Sequence, residues 1–269
     1  MVISAVLTGA LLLTRQLVSQ AGPESSAGGK VPPRVVHIPL ITLTVQDKSD
    51  AAPTPDDALI VSEGGADELP EGPAGFDVFD DGSFLIADPL RQRLALFDSK
   101  GKFVRELKIG FAADSLTITP GGSIQVREAN TGAMHFFDRE GRPGKTEEAA
   151  SQAGEAHLLN EQTGTIARPE GSVKIAFEKP GLRLISIESL AVDQGNLYVA
   201  LEAAANGEKV DVNKYVRKYS AEGKMISEIP DLPLDYYVSP VNELRIRKGV
   251  LYQLMTTRTE VQINEWDVN

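Results

Sequence analysis

The sequence predicts an all-β protein, a β-propeller of five to six four-stranded blades closed by strands from both ends of the chain. Two observations carry this. Short apolar runs are cut by glycine turns, and the pattern returns at a nearly constant interval. A period of about 40 residues with about four short strands per unit is the signature of blades stacked round an axis. With 269 residues and 42% hydrophobic composition, the chain can bury a substantial core.

The first residues differ from the rest. "VISAVLTGALLLT" is an apolar run of 13 residues before Arg15. That is short for a membrane span, which needs about 20 residues. It suits the apolar region of an export signal, with Ser19 and Ala21 as the small residues before a cut after Ala21. Residues 1–21 are therefore expected to be a signal peptide or N-terminal anchor, and any membrane contact is expected through them alone. Residues 22–33, "GPESSAGGKVPP", read as a flexible linker, and residues 34–269 as the propeller. An exported chain without cysteine points to a bacterial envelope protein, periplasmic or extracellular.

"RVVHIPLITLTV" is β-branched and strand-like, and Pro39 confines it to an edge or a break. The acids Asp47, Asp50, Asp56 and Asp57 follow in a Pro/Ala-rich loop. They lack the alternating spacing and central glycine of a calcium loop and read as solvated. "ALIVS" then stands where the last strand of a preceding blade belongs, so the N- and C-terminal strands are expected to share a closing blade.

The repeat is set by paired turn glycines. Gly82 and Gly101 stand 19 apart, Gly122 and Gly141 again 19, Gly164 and Gly181 17, and Gly195 and Gly223 28. The second glycine of each pair, at 101, 141, 181 and 223, advances by 40, 40 and 42, and a fifth copy starts at Gly249. Hairpin turns need positive φ, which glycine adopts without steric cost. Beyond "EEAASQAGEAHLL" no segment has a helical period.

The first copy, "PAGFDVFDDGSFLIADPLRQRLALFDSKGKFV", resembles the NHL repeat in its Pro-x-Gly opening, Asp-Gly turn, "IAD", basic loop, "LFD" and final "GK". The second copy keeps "PGGSI" and "FFDREGR", the fourth keeps "LAVDQGNLYVA" and "YSAEGK", and the third and fifth are degenerate. The resemblance implies a six-bladed propeller of the TolB-like and NHL superfamily, whereas the count of readable units gives five.

The sequence offers little catalytic chemistry. The balance of 27 basic against 38 acidic residues gives a net charge of −11, so nucleic acid is not an expected partner. The absence of cysteine removes disulfides, thiolate metal sites and thiol nucleophiles. His37, His135 and His157 lie far apart, His135 reads as a strand packing residue, and no Gly-x-Ser-x-Gly elbow exists. No cofactor is expected. "EGPAGFD" resembles the opening of propeller lactonases of the gluconolactonase type, which implies Glu71 as a ligand of a divalent metal. The companions it would need, Asn130 and Asp193, stand in the wrong local contexts.

A non-catalytic binding or assembly module, most simply protein-binding, is therefore the first reading, with the metal-dependent hydrolase as the alternative. The loops joining second and third strands carry Arg91, Arg93, Arg127, Arg168 and Arg258, which would suit a protein or acidic ligand on one face of the disc. As exposed charges they are expected to contribute little to folding. Tyr236 and Tyr237, in "PLDYYVSP", are interface-type residues in the last inter-blade loop.

Overall fold

The structure is a computed structural model, and it describes residues 32–43, 55–65, 67–144, 154–205 and 211–268. The expectations for residues 1–21, for most of the linker and for Asp47 and Asp50 lie outside the described residues.

The chain is all-β, in several small sheets. β1 (Arg34–Leu43) and β2 (Leu59–Ser62) come first. Sheet I is β3 (Phe76–Val78), β4 (Phe84–Asp88), β5 (Arg93–Phe97) and β6 (Phe103–Lys108). Sheet II is β7 (Ala113–Ile118), β8 (Ile124–Glu128) and β9 (Met134–Phe137). Sheet III is β10 (Glu155–Asn160), β11 (Thr163–Arg168) and β12 (Gly171–Ala176). Sheet IV is β13 (Leu182–Asp193), β14 (Asn196–Ala205), β15 (Val212–Tyr219) and β16 (Met225–Leu232). β17 (Leu244–Arg247), β18 (Val250–Thr256) and β19 (Glu260–Asp267) join the first two strands in sheet V, ordered β17-β18-β19-β1-β2.

The strand that unites the two chain ends is β1. Its first half pairs antiparallel with β19, from Arg34 opposite Glu265 to Pro39 opposite Glu260. Its second half pairs parallel with β2, from Leu40 opposite Leu59. Pro39, which lacks an N–H, sits where one ladder ends and the other begins, so it marks a break inside a sheet rather than an edge.

Four apolar clusters fill four junctions between sheets. Leu85, Leu94, Leu116 and Ile124 join sheets I and II, and Phe84, Ile86, Leu254 and Ile263 join I and V. Ile166, Ile175, Val199 and Tyr215 join III and IV, and Tyr198, Val216, Leu251 and Ile246 join IV and V. Sheets I, IV and V are thus covered on both faces. That is why "FLIAD" and "RLALF" are buried at every position instead of alternating. Each large side chain so buried contributes about 1.5–3 kcal/mol. Among the described residues no such cluster bridges sheets II and III. The register puts His157, Thr165 and Lys174 on the face of sheet III turned away from sheet IV.

The turn glycines hold with one exception. Gly82, Gly101, Gly122, Gly141, Gly195, Gly223 and Gly249 all have positive φ in the turns where the repeat places them. Gly164 does not: it lies inside β11, paired with Leu158 and Ile175. The turn before it is made by Asn160, whose side-chain oxygen accepts hydrogen bonds from Gln162 N at 2.9 Å and Thr163 Oγ1 at 2.6 Å. An Asx turn needs no glycine. Gly181 has φ +76° but belongs to the link between β12 and β13, so the third unit stands out of register with the glycine repeat. The end of "EEAASQAGEAHLL" is strand β10, and the rest of that segment lies outside the described residues. The units also vary in size, with three strands in sheets II and III and five in sheet V, where four were expected throughout.

Candidate functional site

The arginines expected to form a loop face are engaged within the fold. Arg93 is the first residue of β5, and its side chain is 1% exposed. Its Nε donates to Asp88 Oδ2 at 2.9 Å, and its two amino groups donate to Asp56 O at 2.9 Å and Ala58 O at 2.8 Å. Burial raises the pKa of the enclosed Asp88, and the Arg93 charge opposes that rise. Arg91 donates to Pro55 O and Ala58 O, both at 3.0 Å, from a short turn of 3-10 helix (Pro89–Arg91). Together these two arginines fasten the segment before β2 onto sheet I.

Arg127 pairs with Asp114 at 2.8 Å across β8 and β7, and Arg168 lies 3.4 Å from Glu170. Arg258 stacks its guanidinium 5.3 Å from the Tyr237 ring centroid. The loops fall between second and third strands, but Arg91 spends its donors on backbone carbonyls, and Arg93 on two carbonyls and the carboxylates of Asp88 and Glu106.

The residues named for the alternative metal site stand in three different parts of the chain. Glu71 is exposed, and its backbone pairs with Ser62 at the margin of sheet V. Asp193 accepts from Gly249 N at 2.7 Å, and Asn130 is exposed in the turn before β9. Among the described residues no group of three or more acidic or histidine side chains is arranged to hold a metal ion. His135 stacks on Phe111, with ring centroids 4.2 Å apart.

A different site stands out. Between sheets IV and V the apolar filling gives way to a cavity of about 420 Å³. Its walls come from β13 (Glu188, Leu190), β14 (Glu202), β15 (Lys214), the loop before β17 (Leu234, Tyr236, Val241) and β17 itself (Arg245). Cross-strand pairing puts Glu202 opposite Lys214. Alternation puts both on the face of sheet IV that carries Tyr198, Ala200 and Val216 into the junction with sheet V.

Lys214 holds the charged wall together. Its Nζ lies 2.9 Å from Glu202 Oε1 and also bonds Glu243. Burial pulls Lys214 down, and the two carboxylates more than offset this, so it is held above the ordinary lysine range. Tyr236 donates to the Glu243 carboxylate and accepts from Gln253 Nε2 at 2.7 Å. Burial, then the Glu243 charge, push its phenol well above the usual value.

Arg245 donates to Leu244 O at 2.9 Å and to Leu116 O of β7 at 2.8 Å. Its Nε faces Asp77 Oδ2 at 3.8 Å. Asp77 in turn accepts from Ile118 N at 2.7 Å, so one carboxylate links β3, β7 and β17. Glu188 stands apart. It accepts no hydrogen bond among the described residues. The residue is exposed where it lines the cavity. Desolvation raises its pKa, and Lys214 and Arg245 only partly counter it.

Of the residues singled out in the sequence, the cavity contains only Tyr236. Glu188, Glu202, Lys214, Glu243 and Arg245 were missed. A signal existed for two of them: Glu202 interrupts the apolar run "LYVALEAAA", and Lys214 sits in "VNKYVRKY" on a strand covered on both faces. A charge at such a position must be paired or must serve a site.

No family model and no curated protein matches the chain. Solved structures that resemble it include a streptogramin B lyase, at 9% identity over 77% of this chain and 97% of that one, with a TM-score of 0.37. A gluconolactonase from Xanthomonas campestris aligns at 11% identity over 90% of this chain and 99% of that one, with a TM-score of 0.36. A member of the DUF4221 family from Bacteroides vulgatus aligns at 10% identity over 69% and 75%, with a TM-score of 0.29.

Proposed function

We propose that the chain is an exported propeller whose five sheets close into a ring, and that it acts as a non-catalytic binding module through the cavity between sheets IV and V. The succession II–I–V–IV–III of packed sheets supports the ring, as does the parallel bridge from Gly75 to Asn242 beside the innermost strands of sheets I and V. The NHL-like repeat and the apolar run before Arg15 support the propeller and the export.

One observation carries the functional reading. The cavity has the size of a small-molecule or side-chain site, and its polar groups hold one another in place instead of forming a nucleophile–base pair. Lys214 is locked as an ammonium by two carboxylates, and the Tyr236 phenol is held protonated, so neither serves as a base near neutral pH. With Arg91 and Arg93 consumed by structural bonds, an acidic ligand on the arginine loops is not favoured.

Thermal melts with and without calcium and zinc, beside lactone-hydrolysis assays, test the reading. It expects no metal-dependent rise in melting temperature and no turnover. A rise with either ion, accompanied by hydrolysis, would establish the gluconolactonase-like alternative, because a ligand that binds only the native state stabilises it. N-terminal sequencing of the envelope fraction tests export: the mature chain should begin near Gly22, and an intact Met1 in the cytosol would overturn it.

A further inference from the structure

We infer that Arg168 forms a second binding site, separate from the cavity, at the end of the junction between sheets III and IV, and that this site takes a carboxylate. It is a single group in a sheet junction rather than a face of loop arginines. Arg168 differs from Arg91 and Arg93 in being buried without being bonded.

The Arg168 side chain is 9% exposed, and its Nε is enclosed with no hydrogen-bond partner. Among the described residues its guanidinium donates no hydrogen bond. Its ionic neighbour is Glu170, with Oε2 3.4 Å from Nε on a side chain 72% exposed. Glu170 offsets part of the charge and leaves the donors unused. Arg93, buried to a similar degree, gives its donors to two carboxylates and two carbonyls. A charge taken out of water must be paired or must serve a site, and Arg168 is not paired in this way.

The register shows where the guanidinium lies. On β11, Gly164, Ile166 and Arg168 share one face, and Ile166 packs into the apolar cluster between sheets III and IV. Arg168 stands at the end of that face, opposite Gly171 of β12. One step inward, Val173 closes the junction against the β15–β16 turn, where a Cβ at Gly223 would meet it at 3.3 Å. A Cβ at Gly171 would meet nothing within 4 Å, so there is room for a ligand beside Arg168.

The donors fix the chemistry of that ligand. A guanidinium presents its N–H groups as a planar fork that matches the two oxygens of a carboxylate. Nε is enclosed, whereas the two amino groups at the tip are not, so they can make the bidentate pair. One guanidinium balances one negative charge. In a chain of net charge −11, with Glu170 close by, a singly charged carboxylate fits and a doubly charged phosphate exceeds what the site offsets.

The test titrates the full chain, at constant ionic strength, with acetate, inorganic phosphate, a blocked Gly-Glu-Gly peptide and its glutamine counterpart. The NMR signal of the Arg168 guanidinium and the melting temperature are followed. Acetate and the glutamate peptide should move that signal and raise the melting temperature, because a ligand that binds only the native state stabilises it. The glutamate peptide should bind at least tenfold tighter than the glutamine peptide. Tighter binding of the glutamate peptide than of acetate assigns a partner's acidic side chain, whereas equal binding assigns a free small acid.

Arg168→Met should lose the response to acetate while unfolding no more easily than wild type in carboxylate-free buffer, since no hydrogen bond is broken. Glu170→Gln should bind acetate at least as tightly as wild type, since it removes a competing carboxylate. An Arg168 signal unmoved by acetate and the glutamate peptide, tighter binding of phosphate than of acetate, or an acetate response that persists in Arg168→Met would overturn the inference. So would an Arg168→Met variant markedly less stable than wild type in carboxylate-free buffer, which would mean that Glu170 already satisfies the guanidinium within the fold.

Discussion

Replacing Arg93 by Met separates a loop arginine from a structural one. The substitution keeps an apolar stem and removes the guanidinium. Asp88 then stays at 0% exposure without the Nε donor at 2.9 Å, and its second oxygen, Oδ1, already has no hydrogen-bond partner. Breaking a buried pair by removing one partner costs about 3–5 kcal/mol, and the Arg91 charge and backbone N–H that remain beside Asp88 place this case at the lower end. The carbonyls add little beyond that. Ala58 O keeps its bond from Arg91 at 3.0 Å, and Asp56 O belongs to an exposed residue that water can reach.

We therefore expect a loss at the lower end of about 3–5 kcal/mol in urea unfolding, read from the midpoint at constant slope. The deficit should shrink as pH falls and Asp88, whose pKa burial raises, takes a proton. Combining Arg93→Met with Asp88→Leu should recover most of the loss, since an apolar pair of similar volume is often neutral or better. A loss below about 1 kcal/mol, the usual worth of an exposed ion pair, would mean that Arg93 is a solvated loop charge and that its enclosure is wrong.

Gly101→Ala should destabilise more than Gly122→Ala. Both have positive φ, +79° and +82°, but a Cβ at 101 meets His37 O at 2.6 Å whereas at 122 it meets open space. The strain common to both is about 1 kcal/mol, so matched denaturant titrations giving equal midpoints would contradict the packing of β1 against this turn. Glu188→Gln should stabilise the fold near neutral pH. A carboxyl whose folded pKa is raised costs stability once pH exceeds its unfolded value of about 4.3, and below that value the cost vanishes. Melting curves should therefore diverge at pH 7 and converge at pH 4, and a variant less stable at both would refute the desolvation of Glu188.

Much of the architecture was legible because it is written in local chemistry. A turn glycine announces positive φ wherever it stands, so sheets I, II, IV and V could be placed from Gly82 to Gly249. Sheet III could not, since Asn160 turns the chain with its side chain while Gly164 sits unremarked in a strand. That strands from both ends of the sequence share a sheet was readable from the incomplete last unit, but the place of β1 between β19 and β2 was not. Nor was its switch of partner at Pro39, because strand order is a non-local property.

The site was largely illegible for the same reason. Arg93 and Arg258 look alike as basic residues near a turn. Only the fold brings Asp88 and two carbonyls round one and leaves the other stacked on Tyr237. Glu188, Lys214 and Arg245 lie on three strands spread over 57 residues and meet only when sheets IV and V pack.

We propose the cavity between sheets IV and V as the place where this chain meets its ligand. The most direct test is chemical-shift mapping of the isotopically labelled protein against a panel of charged and neutral small molecules and short peptides. Perturbations should concentrate on Glu188, Glu202, Lys214, Tyr236, Glu243 and Arg245, and should be abolished when Ser239→Trp fills the cavity from its lining. Perturbations concentrated instead on the loops bearing Arg91, Arg127 and Arg258, and unchanged by that substitution, would contradict it.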